Sequence, residues 1–392
     1  MNAGRRIGFG GPLLSPAEGV AGAAEARARG GAAAAACVSA AAGTAAGGGP
    51  GSGAGSGGRG PLSLSRASLM SLAAKAPLSL EILRPLKDLT SFRIGGPAAL
   101  FARPRDLGEL AAALAFARAE GIPHFILGGG ANVLFDDQGL SGLVIRLSGK
   151  FRETRILDGD PASGEGAGRI HAGAGARLAD VAALARRCGR IGFAALKGIP
   201  GTVGGALVMN AGAYGTEIGD RAAAVEILGR EGGPGPQEGA PASGLAGAAR
   251  VPRRRIRFFA RGSDLEGRGT VLGAELLLGE EAPAEEILRA ERETLLARRA
   301  RLPQEPSAGS FFRNPEGQAA GRLIEECGLK GERVGLAQVS PRHANVIVNL
   351  GGATSADVRA LADKVRGEVA RLRGIELVPE VRVVSCRGEV LP

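Results

Sequence analysis

Residues 198–215 read GIPGTVGGALVMNAGAYG, a run of glycines and small side chains with one asparagine and no formal charge. A second glycine run, GGGAN, occupies residues 128–132 directly after the apolar segment 124–127, which we predict to be a strand. Glycines at the end of a buried strand let backbone N–H groups approach an anion such as a phosphate. Two glycine-rich surfaces of this kind suit a long cofactor pressed against main chain. A pair of ordinary turns is the alternative.

The GGGAN run does not match the common nucleotide-binding motifs. It lacks the GxGxxG spacing of a dinucleotide-binding Rossmann turn, and the GxxxxGK[ST] of a P-loop is absent as well. By itself it is as typical of a tight structural turn as of a ligand loop.

Strands and helices alternate along the chain after the region around Leu83, where we expect order to begin. Apolar periodicity and stop signals predict helices from Asp106, from Leu178, and at 285–301, 319–327 and 355–373. Strands are predicted at 124–127, 144–147, 170–172, 271–277, 345–349 and 380–384. This alternation indicates an α/β or α+β class.

Two segments have the composition of unfolded or exposed chain. Residues 1–80 are mostly Ala, Gly, Ser and Arg and bury too little apolar surface to offset the entropy of ordering, so we predict a disordered tail. The tail loosely resembles a transit peptide, and a GC-rich coding bias, which we favour, gives the same composition. Residues 231–250 are predicted to be an inserted surface loop.

Charge, apolar runs and cysteine content indicate the partners and the compartment of the protein. The net charge is +10, and part of it lies in an arginine cluster at 250–257, but that cluster has no aromatic residue for stacking on bases, and the whole chain has one Tyr and no Trp. We therefore expect no nucleic-acid partner, and a basic pocket for an anionic nucleotide ligand explains the charge instead. Apolar runs are too short to cross a bilayer, so no membrane contact is expected. Four widely spaced cysteines indicate reduced thiols in the cytoplasm.

The segment GSFFRNP at 309–315 places a hydroxyl beside two rings, a cation and an amide. A serine in such a place is usually a turn or capping residue, although a desolvated serine near charged groups can relay a proton. No histidine lies in the segment, so a hydrolase triad is not indicated. The three histidines of the chain show no metal-ligand spacing, and no metal site is predicted.

Six motifs in order resemble the UDP-N-acetylenolpyruvoylglucosamine reductase family over roughly residues 83–386. They are TSFRIGGPA at 90–98, GGGAN at 128–132, GIPGTVGGALVMNAGAYG at 198–215, GSFFRNP at 309–315, AGRLIE through LKG at 320–331, and PEVR at 379–382. Any one of them could arise by chance, but their order is specific.

The resemblance implies an α+β protein with a two-subdomain FAD-binding fold of the vanillyl-alcohol-oxidase type and a C-terminal α/β substrate-binding domain. We place the FAD-binding subdomains at 83–149 and 150–282 and the substrate domain at 284–386, whose last strand returns to the FAD region. The implied activity is that of a UDP-N-acetylmuramate dehydrogenase. NADPH reduces FAD, and UDP-N-acetylglucosamine enolpyruvate then receives a hydride at C3 and a proton at C2. We expect a monomer.

The same resemblance assigns site residues. Ser310 is the implied proton donor, with Glu380 and Arg261 completing the catalytic group. The implied substrate ligands are Arg313, Asn314 and Lys330. The implied cofactor-binding residues are Gly128, Gly129, Gly130, Ala131, Asn132, Pro200, Gly201, Thr202, Gly204, Gly205, Asn210 and Gly212.

Two positions depart from the family pattern. Ala260 stands where a tyrosine usually precedes the catalytic arginine, and Ala131 stands where the loop usually has a serine. Two other functions remain possible on the sequence. One is an oxygen-dependent FAD enzyme of the same fold, and the other is a binding module that uses its basic tail on nucleic acid.

Overall fold

The computed structural model describes residues 65–157, 168–229 and 248–391. The helices of these ranges are α1 (Arg66–Ala74), α2 (Leu107–Ala119), α3 (Leu178–Arg187), α4 (Val203–Met209), α5 (Ile218–Arg221), α6 (Leu265–Arg268), α7 (Ala284–Arg301), α8 (Ala320–Glu326) and α9 (Ser355–Arg373). No helix in the described ranges has the length and apolar character needed to cross a membrane.

The strands of the same ranges fall into three larger sheets and several short ladders. They are β1 (Leu80–Pro85), β2 (Pro97–Ala102), β3 (His124–Ile126), β4 (Val133–Phe135), β5 (Leu140–Ile145), β6 (Thr154–Leu157), β7 (Arg169–Gly173), β8 (Gly212–Ala213), β9 (Thr216–Glu217), β10 (Ala222–Gly229), β11 (Ala248–Pro252), β12 (Phe258–Phe259), β13 (Gly262–Ser263), β14 (Gly269–Leu277), β15 (Ser307–Ser310), β16 (Arg333–Val334), β17 (Ala337–Val339), β18 (Val346–Asn349), β19 (Arg382–Val384) and β20 (Val390–Leu391).

The first sheet has the strand order β1-β2-β5-β3, with parallel pairing on both sides of β5. Helix α2 connects β2 to β3 and begins where predicted, because the carboxylate of Asp106 accepts a hydrogen bond from the N–H of Glu109. It ends before Gly121, whose φ is +63°. The GGGAN run at 128–132 follows strand β3, so it lies at the carboxyl ends of the parallel strands of this sheet.

The second sheet has the order β11-β10-β14-β7-β6 and is antiparallel throughout. Helices α3 and α4 contribute Val181, Leu184 and Leu207 to the core that this sheet shares with the first. Strand β11 begins at Ala248, so the end of the predicted loop 231–250 is strand, while 231–247 lies outside the described residues.

The third sheet, β15-β18-β17-β16, packs with α8 and α9 around a separate core. Helix α9 has the predicted bounds, because Thr354 and Asp357 form a reciprocal capping box at its start and Gly374 ends it with a φ of +66°. Its buried face presents valine and leucine at helical spacing, including Val358 and Leu361.

The closing strand leaves the C-terminal region and pairs with the first half of the chain. Strand β19 runs parallel to β4, with Arg382 opposite Val133. It begins at Arg382 rather than at the predicted Glu380, which lies just before the ladder. Residues 379–381 therefore lie beside residues 128–132.

The predicted start of order near Leu83 is too late. Helix α1 lies within the segment assigned to a disordered tail, and the Ser65 hydroxyl caps it by accepting a hydrogen bond from the N–H of Ser68. Leu69 is only 2% exposed and belongs to the core of the first two sheets. The prediction of disorder used the average composition of residues 1–80, and the few leucines that anchor this helix change that average little. Residues 1–64 lie outside the described residues.

Replacing Leu69 by alanine is expected to lower the free energy of unfolding by about 2–4 kcal/mol, because truncation of a buried leucine removes packing and leaves a cavity. The matched control is Met70→Ala, since Met70 is 58% exposed and should change stability by no more than about 0.5 kcal/mol. Urea unfolding of the full chain measures both. Equal unfolding midpoints for the two variants would show that α1 does not contribute to the core.

Candidate active site

The two glycine runs lie against each other. A Cβ atom placed on Gly129 would lie 2.7 Å from the Cα of Gly201, and one on Gly128 would lie 2.8 Å from the Oγ1 of Thr202. Side chains at these positions would therefore force the two loops apart. Gly201 has a φ of +152°, a region that residues other than glycine rarely adopt. The contact joins residues 128–132 and 198–206 into one backbone surface.

Part of this surface offers unpaired hydrogen-bond donors. Within the described part of the chain, the N–H groups of Gly128, Gly129, Gly130 and Ala131 donate to no protein acceptor. Gly130 has a φ of +69°, and a Cβ there would lie 2.1 Å from the carbonyl oxygen of Leu89. Successive free N–H groups in a turn with positive φ are suited to an anion such as a phosphate.

Helix α4 starts in the glycine run at 198–215 and is held close to the end of strand β7. The N–H groups of Val203 and Gly204 donate to the carbonyls of Ala176 and Ala174 at 2.9 Å each. A Cβ on Gly204 would lie 2.9 Å from the Cβ of Ala174, so glycine is required for this approach. The start of α4 is thereby fixed next to the second sheet.

Backbone hydrogen bonds around Phe311 join the segment that contains Ser310 to the segment that contains Glu380. The carbonyl of Phe311 accepts from the N–H of Glu380 at 2.7 Å, and the N–H of Arg313 donates to the carbonyl of Val378 at 2.8 Å. The segment that carries Ser310 thus runs beside the segment that carries Glu380. The Nδ2 of Asn132, at the end of the GGGAN run, also donates to the backbone carbonyl oxygen of Glu380 at 3.1 Å.

Arg261 reaches Glu380 from the hairpin of β12 and β13. It occupies the two-residue turn between β12 and β13 with a φ of +61°, an unusual conformation for a residue with a long side chain. Its Nε lies 3.3 Å from an Oε1 of Glu380. Arg261 and Glu380, which are far apart in sequence, are therefore in contact, and Ser310 precedes the residue whose carbonyl bonds to the N–H of Glu380.

The Glu380 carboxyl is mostly buried, with 13% of its side chain exposed. Burial raises its pKa above the ordinary value of 4.5, and the nearby guanidinium groups of Arg261 and Arg313 oppose this shift without cancelling it. A carboxyl with a raised pKa stays protonated to higher pH and can then donate a hydrogen bond or a proton.

The structure does not bring every implied substrate ligand to this point. The Oδ1 of Asn314 accepts a hydrogen bond from the N–H of Ala320 at 3.0 Å and so caps the first turn of α8. Lys330 forms an ion pair with Glu325 at 2.6 Å at the other end of that helix. Their contact with a substrate stays a prediction.

Asn210, implied as a cofactor ligand, uses its side-chain amide within the protein. It is 1% exposed and has partners in Glu217, Gly219 and Phe259. Gly212 lies in the adjoining hairpin, where a Cβ would lie 2.8 Å from the Cγ of Glu217. Whether the backbone of either residue contacts a cofactor stays a prediction.

Sequence reasoning missed two residues that hold the site in place. The side-chain amide of Asn345 pairs with both the N–H and the carbonyl of Phe312, at 2.9 and 2.8 Å, and is buried. The hydroxyl of Ser91 donates to the carbonyl of Ser307 at 2.7 Å and links the first sheet to β15. In the sequence, the one signal for the role of Asn345 is its position as a polar residue directly before an apolar strand.

The arginine cluster at 250–257 is engaged within the protein. Arg250 forms a two-armed contact with Glu275, at 2.5 and 2.6 Å, which lowers the pKa of the Glu275 carboxyl. Arg257 pairs with Asp264 at 3.7 Å. Among the described residues no group of three or more His, Cys, Asp or Glu side chains could hold a metal ion.

Two protein families match the chain by their sequence models. Residues 98–233 match an FAD binding domain, and residues 302–384 match the C-terminal domain of UDP-N-acetylenolpyruvoylglucosamine reductase. The glycine runs lie in the first match, and Ser310 and Glu380 lie in the second. Together with the mixed helix and strand content, these matches confirm the predicted α+β class with an FAD-binding part and a C-terminal domain.

Curated relatives extend the similarity over most of the chain. UDP-N-acetylenolpyruvoylglucosamine reductase from Moorella thermoacetica is 43% identical over 312 residues, which cover 78% of this chain and 94% of that protein. UDP-N-acetylenolpyruvoylglucosamine reductase 2 from Symbiobacterium thermophilum is 42% identical over 303 residues, covering 76% and 90%. The crystal structure of the reductase from Thermus caldophilus is 36% identical, with a TM-score of 0.61 and coverage of 78% and 98%.

Gly129→Ala is expected to weaken FAD binding about 10-fold or more, because the added methyl would push residue 201 away at a cost of roughly 1–3 kcal/mol. The matched control is Gly367→Ala on α9, where a Cβ meets no atom within 4 Å. The ratio of flavin absorbance to protein after purification, followed by titration with FAD, measures both. An unchanged affinity in Gly129→Ala would contradict the role of the contact between the loops.

Proposed function

Because the chain belongs to the UDP-N-acetylenolpyruvoylglucosamine reductase family, we propose that it reduces UDP-N-acetylglucosamine enolpyruvate to UDP-N-acetylmuramate with NADPH as the reductant. The chain is an oxidoreductase with an FAD-binding domain, and its activity belongs to the synthesis of peptidoglycan precursors. The choice of NADPH, the atoms that receive hydride and proton, a monomeric state and a cytoplasmic location are parts of the proposal.

FAD fits the glycine surface that the two loops form. The N–H groups at 128–131, which have no acceptor among the described residues, can donate hydrogen bonds to a phosphate of the cofactor. The packing of residue 129 on residue 201 leaves backbone, not side chains, to line this place. Asn132, Pro200, Thr202 and Gly205 lie on the same stretches and are proposed to line the remainder. Bound FAD supplies the two-electron chemistry, and the protein contributes orientation and electrostatics.

One observation carries the proposal for the catalytic group. The Nε of Arg261 lies 3.3 Å from the Oε1 of Glu380, and the carbonyl of Phe311, the residue after Ser310, accepts a hydrogen bond from the N–H of Glu380. Addition of a hydride to C3 of an enolpyruvyl ether places negative charge on C2 and the adjoining carboxylate. The Arg261 guanidinium is a fixed cation that would stabilise charge appearing only along the reaction path.

Ser310 and the protonated Glu380 would complete the addition. A hydride at C3 requires a proton at C2, so that two hydrogens add across the double bond. We assign the proton donor to the Ser310 hydroxyl, and a protonated Glu380 carboxyl to a hydrogen bond with the developing enolate. The raised pKa of Glu380 supports this assignment, because it keeps the proton on the carboxyl to higher pH.

We propose the domain boundaries with the function. Residues 83–149 and 150–282 form the FAD-binding subdomains, and residues 284–386 form the substrate domain. The second and third sheets fall within the last two ranges, and the first sheet falls within the first range except that β1 begins at Leu80. The pairing of β19 with β4 supports the return of the last strand to the FAD region.

Anaerobic titration tests the reaction as a whole. NADPH should bleach the flavin absorption of the purified protein, and UDP-N-acetylglucosamine enolpyruvate should restore it in the absence of oxygen. Recovery only on admission of oxygen would favour an oxidase of the same fold instead. A protein that takes up no FAD would contradict both functions.

Ser310→Ala is expected to keep FAD and its reduction by NADPH, yet to slow reoxidation by the enolpyruvyl substrate by about 10²- to 10⁴-fold, the usual contribution of a positioned proton donor. Stopped-flow absorbance separates the two half-reactions. Ser307→Ala is the matched control, because it removes a hydroxyl from the same strand, β15, and leaves in place the backbone carbonyl that Ser91 uses. Unchanged reoxidation in Ser310→Ala would remove Ser310 as the donor.

Glu380→Gln is expected to remove an alkaline limb from the pH profile of kcat. The protonated carboxyl is the active form and its pKa is raised, so wild-type kcat should be constant at low pH and fall as pH rises through a value above 4.5. Glutamine cannot ionise, and the variant should show a lower, flat profile. Steady-state kinetics from acid to alkaline pH measure this. If kcat of Glu380→Gln still falls with rising pH as in the wild type, the fall is caused by the ionisation of another group.

A further inference from the structure

The hairpin that carries Arg261 has little internal support. Strands β12 and β13 form only two residue pairs, Phe258 with Ser263 and Phe259 with Gly262. A two-stranded ladder this short is not stable in water by itself. The position of the Arg261 side chain, which is 43% exposed, therefore depends on contacts between the hairpin and other elements.

Asn210 makes one of these contacts from the end of helix α4. It caps the helix in the left-handed conformation, with a φ of +45°, and is 1% exposed. Its Nδ2 donates to the carbonyl of Phe259 at 3.2 Å and also to the carboxylate of Glu217, while its Oδ1 accepts from the N–H of Gly219 at 3.1 Å. Three partners fix the orientation of this amide, and one of them is the residue two before Arg261.

A second contact holds the other strand of the hairpin to the same helix. The hydroxyl of Ser263 lies 2.9 Å from the carbonyl of Leu207 and 3.1 Å from that of Val208. Both carbonyls belong to the last turn of α4, where few backbone donors are available, and that of Leu207 also accepts from the N–H of Asn210 at 3.3 Å. Helix α4 thus binds β12 through Asn210 and β13 through Ser263.

Gly219 lies where the end of helix α4 meets the β12–β13 hairpin. A Cβ there would lie 2.7 Å from the Oδ1 of Asn210 and 2.8 Å from the ring of Phe258, so this ring packs directly on the Asn210 turn. Arg253 contacts both Gly219 and Phe258. Its guanidinium donates to the carbonyl of Gly219 at 2.7 Å and lies 4.7 Å from the centre of the Phe258 ring.

We infer that Asn210 is a positioning residue for Arg261, acting through its hydrogen bond to Phe259. Helix α4 begins in the glycine run at 198–206 and ends at Asn210, so the chain links the cofactor surface to the catalytic arginine by one short rigid element. Loss of the Nδ2 donor frees the hairpin and moves the guanidinium away from Glu380. This role rests on the proposed function, since it acts on the reduction of the enolpyruvyl substrate.

A matched pair of variants isolates the bond to Phe259. Glu217→Gln retains an acceptor for the Nδ2 of Asn210 and should behave as wild type. In Asn210→Asp/Glu217→Gln the glutamine donates to the new carboxylate, which still accepts from Gly219. The donor to Phe259 is replaced by a carboxylate oxygen that cannot bond to that carbonyl, and the two carboxylates that would repel each other in Asn210→Asp alone are avoided.

The expected result is a fall in kcat of about 10-fold or more relative to Glu217→Gln, because a misplacement on the order of 1 Å is costly in catalysis. FAD content and the rate of flavin reduction by NADPH should be unchanged. Hydrogen exchange gives a readout independent of turnover. Amides in residues 258–263 should exchange faster in the double variant, with no change in α9, which lies in the other core.

A double-mutant cycle with Arg261→Ala distinguishes positioning from a general structural effect. If Asn210 acts through Arg261, the two changes at 210 and 217 should cause no further fall in kcat once Arg261 is alanine. An equal fall in both backgrounds would overturn the inference, as would wild-type kcat in the double variant. If the double variant fails to fold, Ser263→Ala breaks the second contact and should give the same non-additive result.

Failure of the proposed function has a different signature. Wild-type protein that NADPH bleaches but that the enolpyruvyl substrate does not reoxidise would overturn that function, and the positioning role with it. Normal wild-type turnover with unaltered exchange at 258–263 and unaltered kcat in the double variant would overturn the positioning role alone.

Discussion

The close approach of two glycine loops is the constraint on which the site depends. Gly129 packs on Gly201 so tightly that a methyl group at the first position would overlap the backbone of the second. Close contact of main chain with main chain leaves the N–H groups at 128–131 unpaired within the described residues. It also fixes the start of α4 relative to the first sheet, and the hairpin of β12 and β13 is hydrogen-bonded to the other end of that helix.

A second long-range contact completes this arrangement. Strand β19 pairs with β4, which follows the GGGAN loop, and so carries Glu380 from the C-terminal region to the edge of the first sheet. The hydrogen bond from Asn132 to the Glu380 carbonyl and the ion pair with Arg261 then hold Glu380 from two sides. The Arg382–Glu266 ion pair adds a further link between the closing strand and the segment after the hairpin.

The electrostatics of Glu380 follow from this packing. Two arginines nearby favour the ionised carboxylate, whereas burial favours the neutral acid, and burial is the larger effect. A carboxyl that can keep its proton is thus a property of the assembled domains of this reductase, as is the cation beside it.

The sequence by itself determined the local features and the family. Helix caps at Asp106 and Thr354, the glycines that later prove to lack room for a side chain, and six ordered motifs could all be read from neighbouring residues, because capping and turn geometry are local. Helix α1 was missed, since a few apolar contacts are hidden in an Ala- and Gly-rich tail. Only the tertiary structure decided which groups meet Glu380 and what the side chain of Asn210 binds. Burial and the partners of a polar group depend on residues far away in the sequence, and spacing along the chain contains no information about them.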